Sequence, residues 1–292
     1  MSEYVLALLK CKGIGSKKLY NYFLKYNFRE DQIKENIKEI VNDNDFLCFK
    51  LLLEESRNEI LKNKEKKIEI ITLFDTNYPK KLLLISDPIL YLYYYGNIEL
   101  LNKKSIAIIG SREITEEDKN ITFELANKFS KEGITVVSGL ALGTDTEAHK
   151  GTLNNSGSTI AVLPSGINII TPASNRELAK NIINNSGLIV SEYTCDTPAS
   201  KFTFVKRDRI QAALADAVLV VKANETSGTM NAVRVAQESE KYVTQLSTNI
   251  NTLIKNQYKI NSDEDFNDLI NIINNKVYNI VQPEHHEQES LF

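Results

Sequence analysis

Cysteine is scarce in this 292-residue sequence: Cys11, Cys48 and Cys195 stand far apart, and no C-x-x-C pair occurs. That excludes a disulfide framework and a zinc knuckle, and it fits a reducing compartment. No apolar run approaches the ~20 residues of a membrane span. Met1-Ser2-Glu3-Tyr4 lacks the basic segment that opens a signal peptide. The expectation is a cytoplasmic protein with no membrane partner, no metal and no cofactor. A surplus of positive charge is missing too: 35 Lys plus Arg face 38 Asp plus Glu, for a net charge of -3. Global charge therefore cannot hold nucleic acid, and any such binding needs a local basic patch.

What is present is an ordinary globular balance, 42% hydrophobic and 25% charged, in a chain long enough for two domains. Apolar positions recur at helical spacing in Tyr4-Val5-Leu8-Leu9, Leu19-Tyr22-Phe23, Ile33-Ile37-Ile40 and Leu47-Leu51-Leu52. This predicts an all-α unit over 1–65, with the charged run Lys62 to Lys67 as linker. Ile68 to Ile71 and Tyr91 to Tyr95 then read as strands. From Ser105 onwards, short apolar runs alternate with amphipathic stretches: Ile106–Ile109, Thr135–Val137, Thr159–Leu163, Leu188–Val190 and Ala217–Val221. Such alternation predicts an α/β unit over 66–275, a parallel sheet with helices on both faces. Ligands of such sheets sit beyond the carboxyl ends of the strands. The polar composition of 276–292 predicts a flexible tail.

Five stretches carry candidate chemistry. Lys12, Gly13, Gly15 and Lys17 lie between two helical patterns in an arrangement that resembles a helix-hairpin-helix, where backbone N–H groups meet phosphate. They are candidate secondary DNA contacts; the alternative is a plain helical turn. Ile109-Gly110-Ser111-Arg112 closes the first sheet strand with a hydroxyl and a guanidinium suited to phosphate. The G-x-G-x-x-G of a dinucleotide fold is absent there, which disfavours NAD and FAD. Val137 to Asp145, with Gly139 and Gly143, forms a second glycine cradle, and Thr144 or Asp145 is expected to cap the next helix. His149 beyond it is expected to be a packed structural residue. Lys201 to Arg209 combines cations with Phe202 and Phe204, the pairing of charge and stacking surface that single-stranded nucleic acid uses. Glu225 to Met230 is a further glycine turn feeding a helix.

The ordered series GSR, VSGLALGTD, TIAVLPSGI with TPASNREL, SEY, FVKRDRIQAAL and SGTMNAV resembles the DNA-processing protein A (DprA/Smf) family over about Tyr78 to Ile273. The resemblance implies an extended Rossmann-like domain preceded by a small helix-hairpin-helix, sterile-alpha-like domain. It further implies a non-catalytic, homodimeric protein that binds single-stranded DNA and loads a RecA-type recombinase in natural transformation or related recombination. The implied DNA contacts are Ser111, Arg112, Gly139, Arg176, Lys206, Arg207 and Arg209, with Ser227 and Gly228 shaping the floor. Three departures stand out: Asp208 replaces an asparagine, Lys222 replaces a glutamate, and no winged helix follows the Rossmann-like part. The two substitutions suggest a compensating Asp208–Lys222 pair. A related phosphoribohydrolase would need a carboxylate where Ala232 stands; a non-catalytic nucleotide sensor is the other alternative. Finally, Gln288-Glu289-Ser290-Leu291-Phe292 resembles a sliding-clamp docking peptide, with Gln288, Leu291 and Phe292 as its contacts.

Overall fold

The computed structural model describes residues 1–42, 45–223, 227–246, 258–260 and 262–278. The expected clamp peptide lies outside them, as do residues 253–255 within the family-like stretch and Glu225 and Thr226 of the last glycine turn.

Four helices open the chain: α1 (Ser2–Lys10), α2 (Ser16–Lys25), α3 (Glu30–Glu35) and α4 (Phe46–Glu65). Their apolar stripes meet in one core containing Val5, Leu8, Leu19, Phe23, Ile33 and Phe49. Gly13 makes the α1–α2 turn at φ +78°, a left-handed conformation that a side chain resists. Lys62 to Glu65 of the expected linker are instead the last turn of α4, and Lys66 and Lys67 follow it. Lys62 and Lys64 sit where the carbonyl end of the helix dipole favours cations, and the Asn63 carbonyl accepts the N–H groups of Lys66 and Ile68.

The described residues of 69–260 supply nine strands: β1 (Glu69–Thr72), β2 (Tyr91–Gly96), β3 (Ser105–Ile109), β4 (Thr135–Ser138), β5 (Thr159–Val162), β6 (Leu188–Ser191), β7 (Ala217–Val220), β8 (Tyr242–Leu246) and β9 (Tyr258–Ile260). They form one sheet in the order β1-β2-β6-β5-β4-β3-β7-β8-β9. From β6 to β9 the strands run parallel, whereas β2 pairs antiparallel with both β1 and β6. The sheet is therefore mixed at one edge. That edge abuts the helical unit: the rings of Phe23 and Phe74 lie 5.0 Å apart, and the Tyr93 hydroxyl donates to the Glu59 carboxylate.

Period-two alternation sorts the strand residues onto two cores. Ala107, Ile109, Val218 and Val220 face α8 (Lys201–Leu214) and α9 (Thr229–Glu238). Ile106, Ile108 and Leu219 face α5 (Glu116–Lys131), α6 (Thr144–Leu153) and α10 (Asp263–Asn275). A further helix, α7 (Arg176–Asn184), buries Ala179 and Ile182 against Ala161 and Ile189. Buried Lys241 closes the end of α8, donating to the carbonyls of Ala212, Ala213 and Ala215 at 2.6–2.8 Å. These are carbonyls that a helix end leaves without intrahelical partners.

Two sequence expectations need correction here. The first residues of the expected tail are docked: Tyr278 donates its hydroxyl to Asp216 at 2.8 Å, and the Lys276 carbonyl accepts from Lys104 Nζ at 2.6 Å. Thr144 and Asp145 do not cap α6, whose N-cap is Gly143. The Thr144 hydroxyl donates across to the Ser111 carbonyl at 3.1 Å, tying the β4 loop to the β3 loop.

Candidate functional site

The chain leaves β3, builds β4, β5 and β6 on one side, then crosses back to place β7 on the other. The loops after β3 and β7 therefore diverge and leave a crevice at the carboxyl edge. A cleft of about 380 Å³ opens there, lined by Gly110, Ser111 and Arg112 after β3, by Ser227, Gly228 and Thr229 at the start of α9, and by one face of α8. Close backbone packing shapes its mouth. A Cβ on Gly143, which has φ +73°, would lie 2.4 Å from the Arg112 carbonyl oxygen, and one on Gly110 would lie 2.5 Å from Thr144 Oγ1.

Helix α8 divides the basic stretch by its own periodicity. Phe204, Arg207, Asp208 and Gln211 turn towards the cleft. Lys206 and Arg209 lie on the adjoining flank, where both meet Asp87. Arg209 also grips Glu192 with one nitrogen on both carboxylate oxygens, at 2.7 and 2.8 Å. Both Arg209 and Glu192 are nearly buried, and burial raises the pKa of Glu192 against the opposing pull of Arg209. Arg209 is thus a buried tie between α8 and the end of β6.

Within the cleft, two guanidiniums approach the Phe204 ring: Arg112 is 4.7 Å and Arg207 6.0 Å from its centroid. Arg112 is exposed, and among the described residues no carboxylate lies within ion-pair distance of it. Arg207 is only 4% exposed. It donates to the Val162 carbonyl at 3.0 Å and to Asp208 at 3.1 Å, and it lies 3.8 Å from Asp145. Gln211, with its amide oxygen turned inwards, accepts from Gly139 N–H at 2.6 Å and from Arg207 at 3.2 Å.

The cleft carries carboxylates as well. Burial raises the pKa of Asp145, with Arg207 opposing. Asp208 is pushed up to about 6, chiefly by burial, although the Arg207 guanidinium opposes this too. His149 is fully buried, and its Nδ1 pairs with Thr159 Oγ1 at 2.8 Å. Burial and the nearby Arg207 lower its pKa to about 3, so it stays neutral in the way a packed structural residue would. Lys222 bonds to Asp118 at 3.4 Å rather than to Asp208, so the expected compensating pair does not form. The reason is direction: Lys222 reaches the capping box of α5, while Asp208 turns to its neighbour Arg207.

Of the sequence-expected contacts, Ser111, Arg112, Arg207, Ser227 and Gly228 line the cleft. Gly139 lies directly beneath Arg207. Arg176 is exposed at the start of α7, beyond the end of β5. Lys12, Gly13, Gly15 and Lys17 are exposed together on the α1–α2 turn. Sequence reasoning missed Gln211 and Asn175. Asn175 is buried and donates to the Leu140 carbonyl at 2.9 Å and to Thr146 Oγ1 at 2.8 Å, holding the second glycine loop in place. Its only signal was an asparagine inside TPASNREL. Ala232 also lines the cleft and is 1% exposed, so no carboxylate stands at the hydrolase position. Among the described residues, no cluster suited to a metal ion occurs and no helix is long and apolar enough to cross a membrane.

Comparison with known proteins follows the same outline. The family model described as DNA recombination-mediator protein A matches residues 69–265. DNA processing protein DprA of Streptococcus pneumoniae is 30% identical over 245 residues, covering 83% of this chain and 86% of that protein. Protein Smf of Borreliella burgdorferi is 30% identical over 230 residues, 78% of this chain and 72% of its own. The Streptococcus pneumoniae DprA crystal structure superposes with a TM-score of 0.76 at 27% identity, over 92% of this chain and 98% of that one. A Helicobacter pylori DprA structure, described for its single-stranded DNA binding mode, superposes with a TM-score of 0.60 at 32% identity, over 69% and 96% of the two chains.

Proposed function

The chain belongs to the DNA-processing protein A (DprA/Smf) family, and from that premise we propose that it binds single-stranded DNA at the β3–β7 cleft without chemistry. The observation that carries this reading is the cluster of Arg112, Phe204 and Arg207 in the cleft. An aromatic ring with guanidiniums beside it offers both a surface for bases and charge for phosphates. Ser111, the N–H groups at the start of α9 and the floor at Ser227 and Gly228 then take phosphate oxygens. Gly139 acts indirectly, by leaving room for Arg207. Arg176, Lys206 and the exposed Lys201 extend the path beyond the cleft, and Lys12, Gly13, Gly15 and Lys17 offer a secondary contact. The single-stranded DNA binding mode described for the Helicobacter pylori relative supports the same ligand.

Labelled oligo-dT titrated by fluorescence anisotropy tests the reading. Binding should exceed that of duplex, fall steeply with salt, and weaken about tenfold or more in Arg112→Ala. Undiminished binding by that variant would overturn the site. Mononucleotides titrated in parallel address the sensor alternative.

Family membership extends the proposal to a homodimer that loads a RecA-type recombinase onto the bound strand in transformation or related recombination. Light scattering and a recombinase filament-assembly assay are the respective checks. Gln288, Leu291 and Phe292 are further proposed to dock on a replication sliding clamp. Micromolar binding of a 282–292 peptide that is lost when Leu291 and Phe292 become alanine would support this, and no binding at high micromolar clamp would end it.

A further inference from the structure

At the opposite, amino edge of the sheet lies a second cavity, of about 520 Å³. Four lysines line it, Lys80, Lys81, Lys103 and Lys104, together with the carboxylates of Glu99 and Asp216. The carboxylates do not neutralise it. Asp216 is already engaged by the Ser105 N–H at 2.8 Å, the Tyr278 hydroxyl at 2.8 Å and buried Lys81 at 3.6 Å. Lys104 donates to a neutral carbonyl, that of Lys276. Among the described residues, the side-chain ammonium groups of Lys80 and Lys103 have neither a hydrogen bond nor an ion pair. Lys81 is held out of water at the back of the cavity, and burial lowers its pKa against the pull of Asp216.

We propose that this pocket is a second anion site, separate from the β3–β7 cleft, and that it takes a phosphoryl group. Four ammonium groups against two carboxylates leave a surplus that matches the charge of a phosphate dianion. The walls are set before the ligand arrives. Asn102 Nδ2 donates to the Asn77 carbonyl at 2.7 Å, joining the Thr76–Lys80 segment to the turn that bears Lys103 and Lys104. Tyr278, pinned to Asp216, closes another side. Lys81 fixes the back wall, while Lys80 and Lys103 are the adaptable groups that close on the anion. The volume falls in the range of small-molecule sites. The phosphoryl group can belong to a free phosphorylated molecule or to a nucleic-acid strand, and the two sources are separable by experiment.

The test uses the full chain. Inorganic pyrophosphate is titrated by calorimetry into the wild type, Arg112→Ala and the double variant Lys80→Glu/Lys103→Glu, whose changes are on exposed or half-exposed side chains. Saturable binding should persist in Arg112→Ala and weaken about tenfold or more in the lysine variant. Failure of the wild type to saturate by about 10 mM pyrophosphate, or equal binding by the lysine variant with an unchanged melting curve, overturns the proposal. The same variants titrated with oligo-dT identify the source. Loss of oligonucleotide affinity with a shallower salt slope in the lysine variant assigns the phosphate to a strand, and unchanged affinity assigns it to a free molecule. Because Arg112 reports on the cleft and the lysines on the pocket, failure of either reading leaves the other standing.

Discussion

Gly139 and Arg207 compete for one volume: a Cβ built on Gly139 would lie 1.4 Å from Arg207 Nη1. The missing side chain is what lets the guanidinium run under the second glycine loop to the Val162 carbonyl. This is a packing requirement, independent of any ligand touching Gly139.

Gly139→Ala should therefore destabilise the fold by about 1–3 kcal/mol, the range for forcing atoms into a filled site. Urea melts check it. In an Arg207→Ala background the same change should cost less, since the nearest clash is gone and only the Gln211 amide, 2.3 Å from the new Cβ, remains. Strict additivity of the two changes would show that the clash is relieved elsewhere.

Arg112 and Arg209 should separate cleanly. Arg112 is exposed and stacked on Phe204, so Arg112→Ala should change stability by no more than about 0.5 kcal/mol while weakening oligo-dT binding. Arg209→Ala leaves Glu192 buried without its cation and should cost about 3–5 kcal/mol. Thermal melts beside anisotropy titrations decide between them. A native-like melt for Arg209→Ala would remove its structural role.

Asp208 makes both stability and binding depend on pH. Its folded pKa of about 6 lies above the usual carboxylate value of about 4. Between these values the folded protein holds a proton that the unfolded chain lacks. Wild type should then gain stability relative to Asp208→Asn as pH falls through about 6, on the order of 1–3 kcal/mol in all, with no further gain below about 4. Oligo-dT affinity should also rise over pH 7.5 to 5.5, because the protonated carboxyl no longer repels phosphate, and Asp208→Asn should flatten that rise. Parallel pH profiles for the two proteins would refute a role for Asp208.

Lys222 should couple to Asp118 by about 0.5 kcal/mol in a double-mutant cycle, the modest size expected of a partly exposed pair. The corresponding cycle between Lys222 and Asp208 should be additive. A coupling between Lys222 and Asp208 above that of the Asp118 pair would contradict the geometry.

Local pattern determined much of this protein. The alternation of Ile106–Ile109 with its neighbours was enough to place β3, and the apolar periods of Ser2–Lys10 and Ser16–Lys25 were enough for α1 and α2. Glycines beside strand ends marked both cleft loops, because only a residue without a Cβ tolerates such close backbone approach. The charged run ending at Lys67 misled, since a helix end can hold lysines without offering a core face. What the sequence could not decide was which cations of Lys201 to Arg209 face the ligand. That depends on the phase of α8 against the sheet and on Asp87 and Glu192, carboxylates supplied by distant segments. The antiparallel pairing of β2 with β6 and the choice of Asp118 over Asp208 as the partner of Lys222 were likewise set by tertiary packing. Residue type determines what a side chain can bind, but only the assembled sheet decides which partner is within reach.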